Sequence, residues 1–419
     1  MGETNSHSTD IVIVGAGHAG GTAAALLRQY GHDGRVTLIG DEPLAPYQRP
    51  PLSKAWLKGE ADAESLALKP PAFYAENDID LRLDTSAVAI DRTAHQVLLA
   101  DGTVLPYGRL ILATGARAIV PPLPRVDSKG IHVLRTAADA EALKAGLAPG
   151  RHLLIVGAGY IGLEVAASAR ALGAEVTVLE REPRILSRVA NGILSDFFHR
   201  YHAARGVRFE LNCTVAGFGS DGARVSGAWL SDGRGIGCDA VLLGVGARPN
   251  DALARACGLD CEGGILVDLD ARTSDPDIFA IGDVTRRPMP LYDCLFRLES
   301  VPNALEQARQ AVAAITGQPA PAGEVPWQWS DQYDLKLQIA GFPFGADRIV
   351  VRGAPEAAKF ALFHLRGRRI LAVEAINSPA EFMAGRQLIG NRKTVDPERL
   401  IDPTLSMKEV AAEARLESV

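Results

Sequence analysis

Asp10-Ile11-Val12-Ile13-Val14-Gly15-Ala16-Gly17-His18-Ala19-Gly20 runs from an apolar stretch straight into three spaced glycines, and an alanine- and leucine-rich segment follows from Thr22 to Tyr30. The apolar run predicts a buried strand and the segment a helix. Arg35-Val36-Thr37-Leu38-Ile39-Gly40 then predicts a second, parallel strand. Strand, loop, helix and strand in about 30 residues is the context in which a G-x-G-x-x-G loop binds a dinucleotide. The first glycine permits the tight turn, the second lets backbone approach a pyrophosphate, and the third lets helix pack close on strand. The phosphates then sit at a helix amino terminus, where unpaired N–H groups and the dipole favour anions.

The unit occurs twice. His152-Leu153-Leu154-Ile155-Val156 leads into Gly157-Ala158-Gly159-Tyr160-Ile161-Gly162, a helix through Leu172, and Glu175-Val176-Thr177-Val178-Leu179-Glu180. Two such loops predict that two dinucleotides meet and that electrons pass between them. The units differ at the ends of their second strands. Glu180 falls about 20 residues after Gly157, where an acid accepts hydrogen bonds from a ribose diol and repels a 2′-phosphate. It argues for NADH over NADPH, with Arg181 and Arg184 nearby pulling the other way. In the first unit Gly40 holds that place and the acids shift to Asp41 and Glu42. That pattern is dinucleotide-like without being a standard nicotinamide site, and it suits FAD.

Two glycine-ended strands, Leu110-Ile111-Leu112-Ala113-Thr114-Gly115 and Ala240-Val241-Leu242-Leu243-Gly244-Val245-Gly246, mark where the chain crosses between nested nucleotide domains. A third strand within Thr273–Asp283 ends in Gly282-Asp283. Composition changes near the linker Gln318-Pro319-Ala320-Pro321-Ala322-Gly323, after which alternating segments predict antiparallel strands. Helical stretches at about Pro379 to Leu388 and Met407 to Leu416 end the chain. The predicted fold is α/β: two nested Rossmann-like dinucleotide-binding domains plus a C-terminal α+β domain. The boundaries place the FAD-binding domain at 1–112 and 247–324, the NAD-binding domain at 113–246 and the last domain at 325–419.

Hydrophobic content of 47% and charged content of 22% over 419 residues are those of an ordinary globular protein. A net charge of −6 gives no sign of general nucleic-acid or membrane-surface binding. Met1-Gly2-Glu3-Thr4-Asn5-Ser6-His7 lacks the basic region and apolar core of a secretion signal, so the reading is cytoplasmic. The five cysteines, Cys213, Cys238, Cys257, Cys261 and Cys294, show no C-x-x-C spacing and are too dispersed for an iron–sulfur cluster. No metal site is expected.

In this order the motifs resemble the ferredoxin reductase branch of the two-dinucleotide-domain flavoproteins, which has a glutathione-reductase-like plan. The resemblance covers roughly residues 10 to 410. Its most specific pieces are Tyr47-Gln48-Arg49-Pro50-Pro51-Leu52-Ser53-Lys54, Gly157 to Glu164, Thr273 to Asp283, Glu299-Ser300-Val301-Pro302-Asn303-Ala304 and Trp329-Ser330-Asp331-Gln332-Tyr333. It implies that Ala19, Asp41, Arg49, Lys54, Ala87, Arg135, Asp283 and Val301 surround FAD, Asp283 bonding the ribityl chain. It further implies that Gly159, Tyr160, Ile161, Glu164 and Glu180 line the NAD site. Lys54 and Glu164, the catalytic candidates, pair beside the flavin, Glu164 holding the nicotinamide carboxamide. Trp327 and Trp329 read either as core aromatics or as flanking the flavin's accessible face. His18, inside the first loop, reads as a bystander, since a backbone-lined phosphate site needs no base.

Hydride transfer from NADH to a flavin needs close parallel stacking, with the protein supplying position and electrostatics. Without an internal one-electron carrier, the acceptor is expected to be a separate protein. For this family that is a two-iron, two-sulfur ferredoxin feeding a haem monooxygenase or a ring-hydroxylating dioxygenase of aromatic hydrocarbon catabolism. A monomer or weak dimer is expected. Arg297, Arg309, Arg386, Arg392 and Lys393 are candidates for a basic docking face. Disulfide reductases share the two-loop plan but need a cysteine pair beside the flavin, and Leu44 to Lys54 contains none. An NADH-binding flavoprotein sensor of apoptosis-inducing-factor type, a flavin-dependent NADH oxidase and a flavin monooxygenase stand as alternatives.

Overall fold

The computed structural model describes residues 9–319 and 321–416; the amino-terminal stretch read above as lacking a signal, and Ala320 of the linker, lie outside them. The first glycine loop sits on a parallel sheet with strand order Ile278–Ala280, Arg109–Leu112, Ile11–Val14, Val36–Ile39, Ile79–Arg82. Both faces are covered, which is why Ile11-Val12-Ile13-Val14 shows no alternation. Ile11 and Ile13 pack with Ala23, Leu27, Ala308 and Val312 from helices His18–Gln29 and Val301–Thr316. Val12 and Val14 face Val97 and Leu99 of a small antiparallel sheet.

The second loop sits on an equivalent parallel sheet, ordered Val207–Glu210, Glu175–Leu179, His152–Val156, Ala240–Leu243, Ile131–His132. The chain leaves the first unit and returns to it through two adjacent segments, Ala116–Ala118 and Ala247–Pro249, paired antiparallel. The last unit is an antiparallel sheet ordered Trp327–Gln332, Leu335–Gly341, Arg369–Ile376, Lys359–Arg366, Arg348–Ala354. One of its faces shares a continuous core with the second parallel sheet: Leu335, Leu337, Phe360, Leu362 and Ile376 meet residues of the group that contains Ile155, Leu163, Val176 and Phe198. The other face carries helix Pro379–Gly390 through Phe382 and Leu388. The architecture is the expected α/β plan with two parallel sheets and a C-terminal antiparallel sheet.

Element ends moved where tertiary contacts decide them. The first helix begins at His18 instead of Thr22, because Gly17 of the loop is itself the residue that starts it. The terminal helix stops at Ala412, and Arg415–Leu416 form a short strand on Lys393–Thr394 instead of finishing the helix.

The two loops repeat the same backbone logic. Gly15 and Gly157 have φ of +114° and +104°, a region open chiefly to glycine. A Cβ on Gly20 would lie 1.9 Å from the Gly15 carbonyl oxygen, and one on Gly162 2.3 Å from that of Gly157. At Gly159 nothing lies within 4 Å. Gly20→Ala is therefore expected to lose about 3 kcal/mol or more, whereas Gly159→Ala should unfold like the parent in chemical denaturation.

Candidate active site

Both loops leave room where a phosphate would sit. A side chain at Gly17 would meet only the Arg49 guanidinium, 3.9 Å away, and one at Gly159 would meet nothing. Neither helix start has a side-chain cap. The first-turn N–H groups of helices His18–Gln29 and Tyr160–Ala171 are thus left to whatever fills the loop. Both sites fit a dinucleotide pyrophosphate.

Around the first loop the chain gathers residues from distant positions. Arg49 binds Glu42 at 2.7 Å and donates to the Arg135 carbonyl, and Arg135 pairs with Asp283 at 2.8 Å. A Cβ on Gly282 would lie 3.0 Å from that of Ala19, and one on Gly115 3.3 Å from the Arg135 guanidinium. Of the two acids after Gly40, Glu42 turns inward, also accepting from the Tyr47 hydroxyl at 2.5 Å, while Asp41 stays exposed. The Thr85 N–H donates to the Gly40 carbonyl, bringing the segment that leads to Ala87 beside this strand end. Thr114, after Ala113, donates its hydroxyl to the Asn250 carbonyl at 2.8 Å, locking the two crossing segments together. Ser300 caps the helix that begins at Val301, accepting from the Asn303 N–H, and Glu299 is turned to Arg297. His18 Nδ1 is buried without a partner among the described residues, and burial holds this imidazole below its ordinary value, with Asp283 opposing and Arg49 adding to the effect.

The second site is more open. Ile161 is 47% exposed, and the Tyr160 hydroxyl donates to the Val189 carbonyl at 3.4 Å. Glu180 is turned onto its own loop: one carboxylate oxygen accepts the Ala158 N–H at 2.8 Å and the other the Glu182 N–H at 3.1 Å. Each oxygen keeps a second lone pair. Gly246, at φ +115°, lies where a Cβ would approach Ile119 and Arg188.

The units converge on Glu164, which is 3% exposed. One carboxylate oxygen takes the Lys54 ammonium at 2.6 Å and the Ser53 hydroxyl at 2.5 Å. The other takes the Ser330 hydroxyl at 2.6 Å. Lys54 belongs to the segment that carries Arg49, Glu164 to the helix of the second loop, and Ser330 to the C-terminal sheet. Behind Ser330, Gln332 and then His202 continue inward at 3.0 and 2.7 Å. His202, on helix Gly192–Ala203, is fully buried, and burial pushes its pKa down to about 4 despite the Gln332 hydrogen bond, which raises it.

Trp327 and Trp329 lie on the opposite side of their strand from Ser330. Trp327 packs on Phe382, with the Arg386 guanidinium over its ring, and Trp329 is half-buried 5.6 Å from it. Four docking candidates have partners. Arg309 and Arg386 share Glu324 at 2.6 and 2.7 Å, Arg297 takes Glu299, and Arg392 donates to the Pro290 carbonyl. Ser53, Ser330 and Gln332 stood in the quoted motifs with no role. Gln328, Ser330 and Gln332, polar residues at alternate positions of a strand whose other side carries Trp327 and Trp329, were the available signal. His202 had none, because its partner is 130 residues away.

Comparison with known proteins adds independent findings. Residues 9–308 match the family described as pyridine nucleotide-disulphide oxidoreductase, and residues 327–411 match a reductase C-terminal domain. The probable ferredoxin reductase CtmF of Castellaniella defragrans is 50% identical, covering 96% of this chain and 98% of that protein. The ferredoxin–NAD(+) reductase component of the anthranilate 1,2-dioxygenase system of Burkholderia cepacia is 42% identical over 95% of this chain and 98% of its own. The reductase in the crystal structure of the covalent putidaredoxin reductase–putidaredoxin complex superposes with a TM-score of 0.95 at 41% identity, covering 97% of this chain and 99% of that one.

Two stability measurements test the buried cluster. Lys54→Met leaves a buried carboxylate with hydroxyl donors alone and is expected to cost about 3 kcal/mol in chemical denaturation. Between pH 6.5 and about 4 the unfolded chain binds a proton at His202 that the folded chain refuses. This contribution is therefore complete above pH 6.5 and falls away as pH drops toward 4, by about 3 kcal/mol at most. Denaturation at a series of pH values should show that slope, and His202→Asn should flatten it.

Proposed function

The chain belongs to the pyridine nucleotide-disulphide oxidoreductase family, and from that premise we propose how its residues divide the work of a ferredoxin reductase. The enzyme takes electrons from NADH and delivers them to a two-iron, two-sulfur ferredoxin that serves a haem monooxygenase or a ring-hydroxylating dioxygenase. FAD, when bound, supplies the chemistry that turns a hydride into single electrons.

The observation that carries the assignment is the meeting at Glu164 of segments from both glycine-loop units and the C-terminal sheet. Segments 1–112 and 247–324 form the FAD-binding domain, in which the loop at Gly15, Gly17 and Gly20 holds the pyrophosphate. Asp283, braced by Arg135, binds the ribityl chain. Segment 113–246 binds NADH, with Gly157, Gly159 and Gly162 at its pyrophosphate. Glu180 closes the loop through Ala158 and offers its remaining lone pairs to the adenosine ribose. Glu164 accepts from the nicotinamide carboxamide, and Lys54 pairs with that carboxylate and orients it. No side chain here has to move a proton or attack carbon: the residues bind, orient and exclude water.

For the exit of electrons, Trp329 and the Arg309–Glu324–Arg386 group lie together where the C-terminal domain meets helix Val301–Thr316. Two guanidinium groups around one carboxylate keep a net positive charge, which complements an acidic ferredoxin. Five unpaired cysteines suit a reducing compartment, and we place the enzyme in the cytoplasm.

Stopped-flow reduction tests the whole assignment. NADH should bleach the flavin much faster than NADPH, and the reduced enzyme should pass electrons to an added two-iron, two-sulfur ferredoxin. Equal rates for the two nucleotides would remove the role given to Glu180, and failure with every one-electron acceptor would overturn the reductase assignment.

A further inference from the structure

The hydrogen bonds behind Glu164 run in one direction only. Gln332 Oε1 has no proton to give, so the 2.7 Å contact with His202 is an Nε2–H of the imidazole donating to it. That orientation turns the Gln332 NH2 toward Ser330, whose oxygen accepts it at 3.0 Å. The single hydroxyl proton of Ser330 then goes to Glu164, at 2.6 Å. Every member is buried: His202 is 0% exposed, and Gln332 and Ser330 are 1% each. His202 Nδ1 has no partner among the described residues, so the imidazole spends its one proton on the chain.

The arrangement matters because of where it holds the carboxylate. One Glu164 oxygen is tied to Ser53 and Lys54, on the segment of the first site. Among the described residues the other is tied only to Ser330, on the C-terminal sheet. With both oxygens held from opposite sides, the carboxylate plane cannot turn about its terminal bond. Loss of the Ser330 proton would leave the charge paired but the plane free to rotate. Transfer reactions at near-contact distance are sensitive to misplacement of this size.

We propose that Ser330 is a positioning residue for the hydride-transfer step, its hydroxyl proton directed at Glu164 by Gln332 and His202. The C-terminal sheet thereby sets the orientation of the group that receives the nicotinamide. This rests on the reading of Glu164 as the carboxamide acceptor.

The test uses the FAD-loaded enzyme. Three quantities are measured: the limiting rate of flavin bleaching by NADH, the dissociation constant for ADP-ribose, which lacks the nicotinamide, and the FAD content. Ser330→Ala should lower the limiting rate about tenfold, with ADP-ribose affinity and FAD content unchanged. Ser330→Thr, which keeps a hydroxyl, should recover most of the rate. Gln332→Met should lower it by about threefold, and this variant decides the matter if Ser330→Ala does not fold. In a Glu164→Gln background, Ser330→Ala should add nothing, because both changes act through one carboxylate. Parent-like rates for Ser330→Ala and Gln332→Met beside a slow Glu164→Gln would overturn the positioning role while leaving Glu164 in place. So would a full, additive Ser330 effect in that background. A Glu164→Gln enzyme as fast as the parent would instead overturn the reading of Glu164, and the proposal with it.

Discussion

A carboxylate that is 3% exposed must be met by donors, because taking its charge out of water costs several kcal/mol that only close partners return. Glu164 stands on the helix of the second glycine loop and obtains its donors from two other, distant parts of the chain, Ser53 and Lys54 from the first unit and Ser330 from the last. Each of these segments is held where it is partly because the other two are there. The shared apolar core between the second parallel sheet and the C-terminal sheet provides the rigid frame in which that junction is possible. Within that frame the polar junction fixes how the three segments meet at the point where chemistry is needed.

The same requirement explains why the loops are so alike and the residues around them so different. Tight turn, open cradle and close helix approach are demands of backbone geometry, identical for any pyrophosphate, and both loops answer them with glycine at the same three places. What distinguishes the sites is side-chain electrostatics. The first is walled by the Glu42–Arg49 and Arg135–Asp283 pairs, drawn together from far-separated segments. The second keeps an exposed Ile161 and a glutamate folded back on its own loop.

Local patterns in the chain were legible in proportion to how local their physics is. Asp10 to Gly40 announces strand, loop, helix and strand because each element's pattern is complete within it, and the largest displacement is a helix that starts inside its loop, at His18. The segment near Leu416 was misjudged for the opposite reason: its short strand exists only because Lys393–Thr394 offers a backbone partner. Arg309 and Arg386 stand in the sequence only as candidates for a docking face, and the fold brings both onto Glu324. Glu180 was placed at the right strand end, but its hold on the Ala158 N–H depends on how loop and strand end face each other.

Sequence alone determined the α/β plan, the two dinucleotide loops, their unequal strand ends and, through the resemblance of whole motifs, the pairing of Lys54 with Glu164. These follow from glycine stereochemistry, from strand and helix periodicities and from residue types at short, fixed spacings. Tertiary structure alone decided that Ser330 completes the Glu164 site and that Gln332 and His202 stand behind it. The reason is that a buried polar group takes its partners from whatever the fold brings within about 3 Å. No spacing along the chain encodes a hydrogen bond that closes across 166 residues.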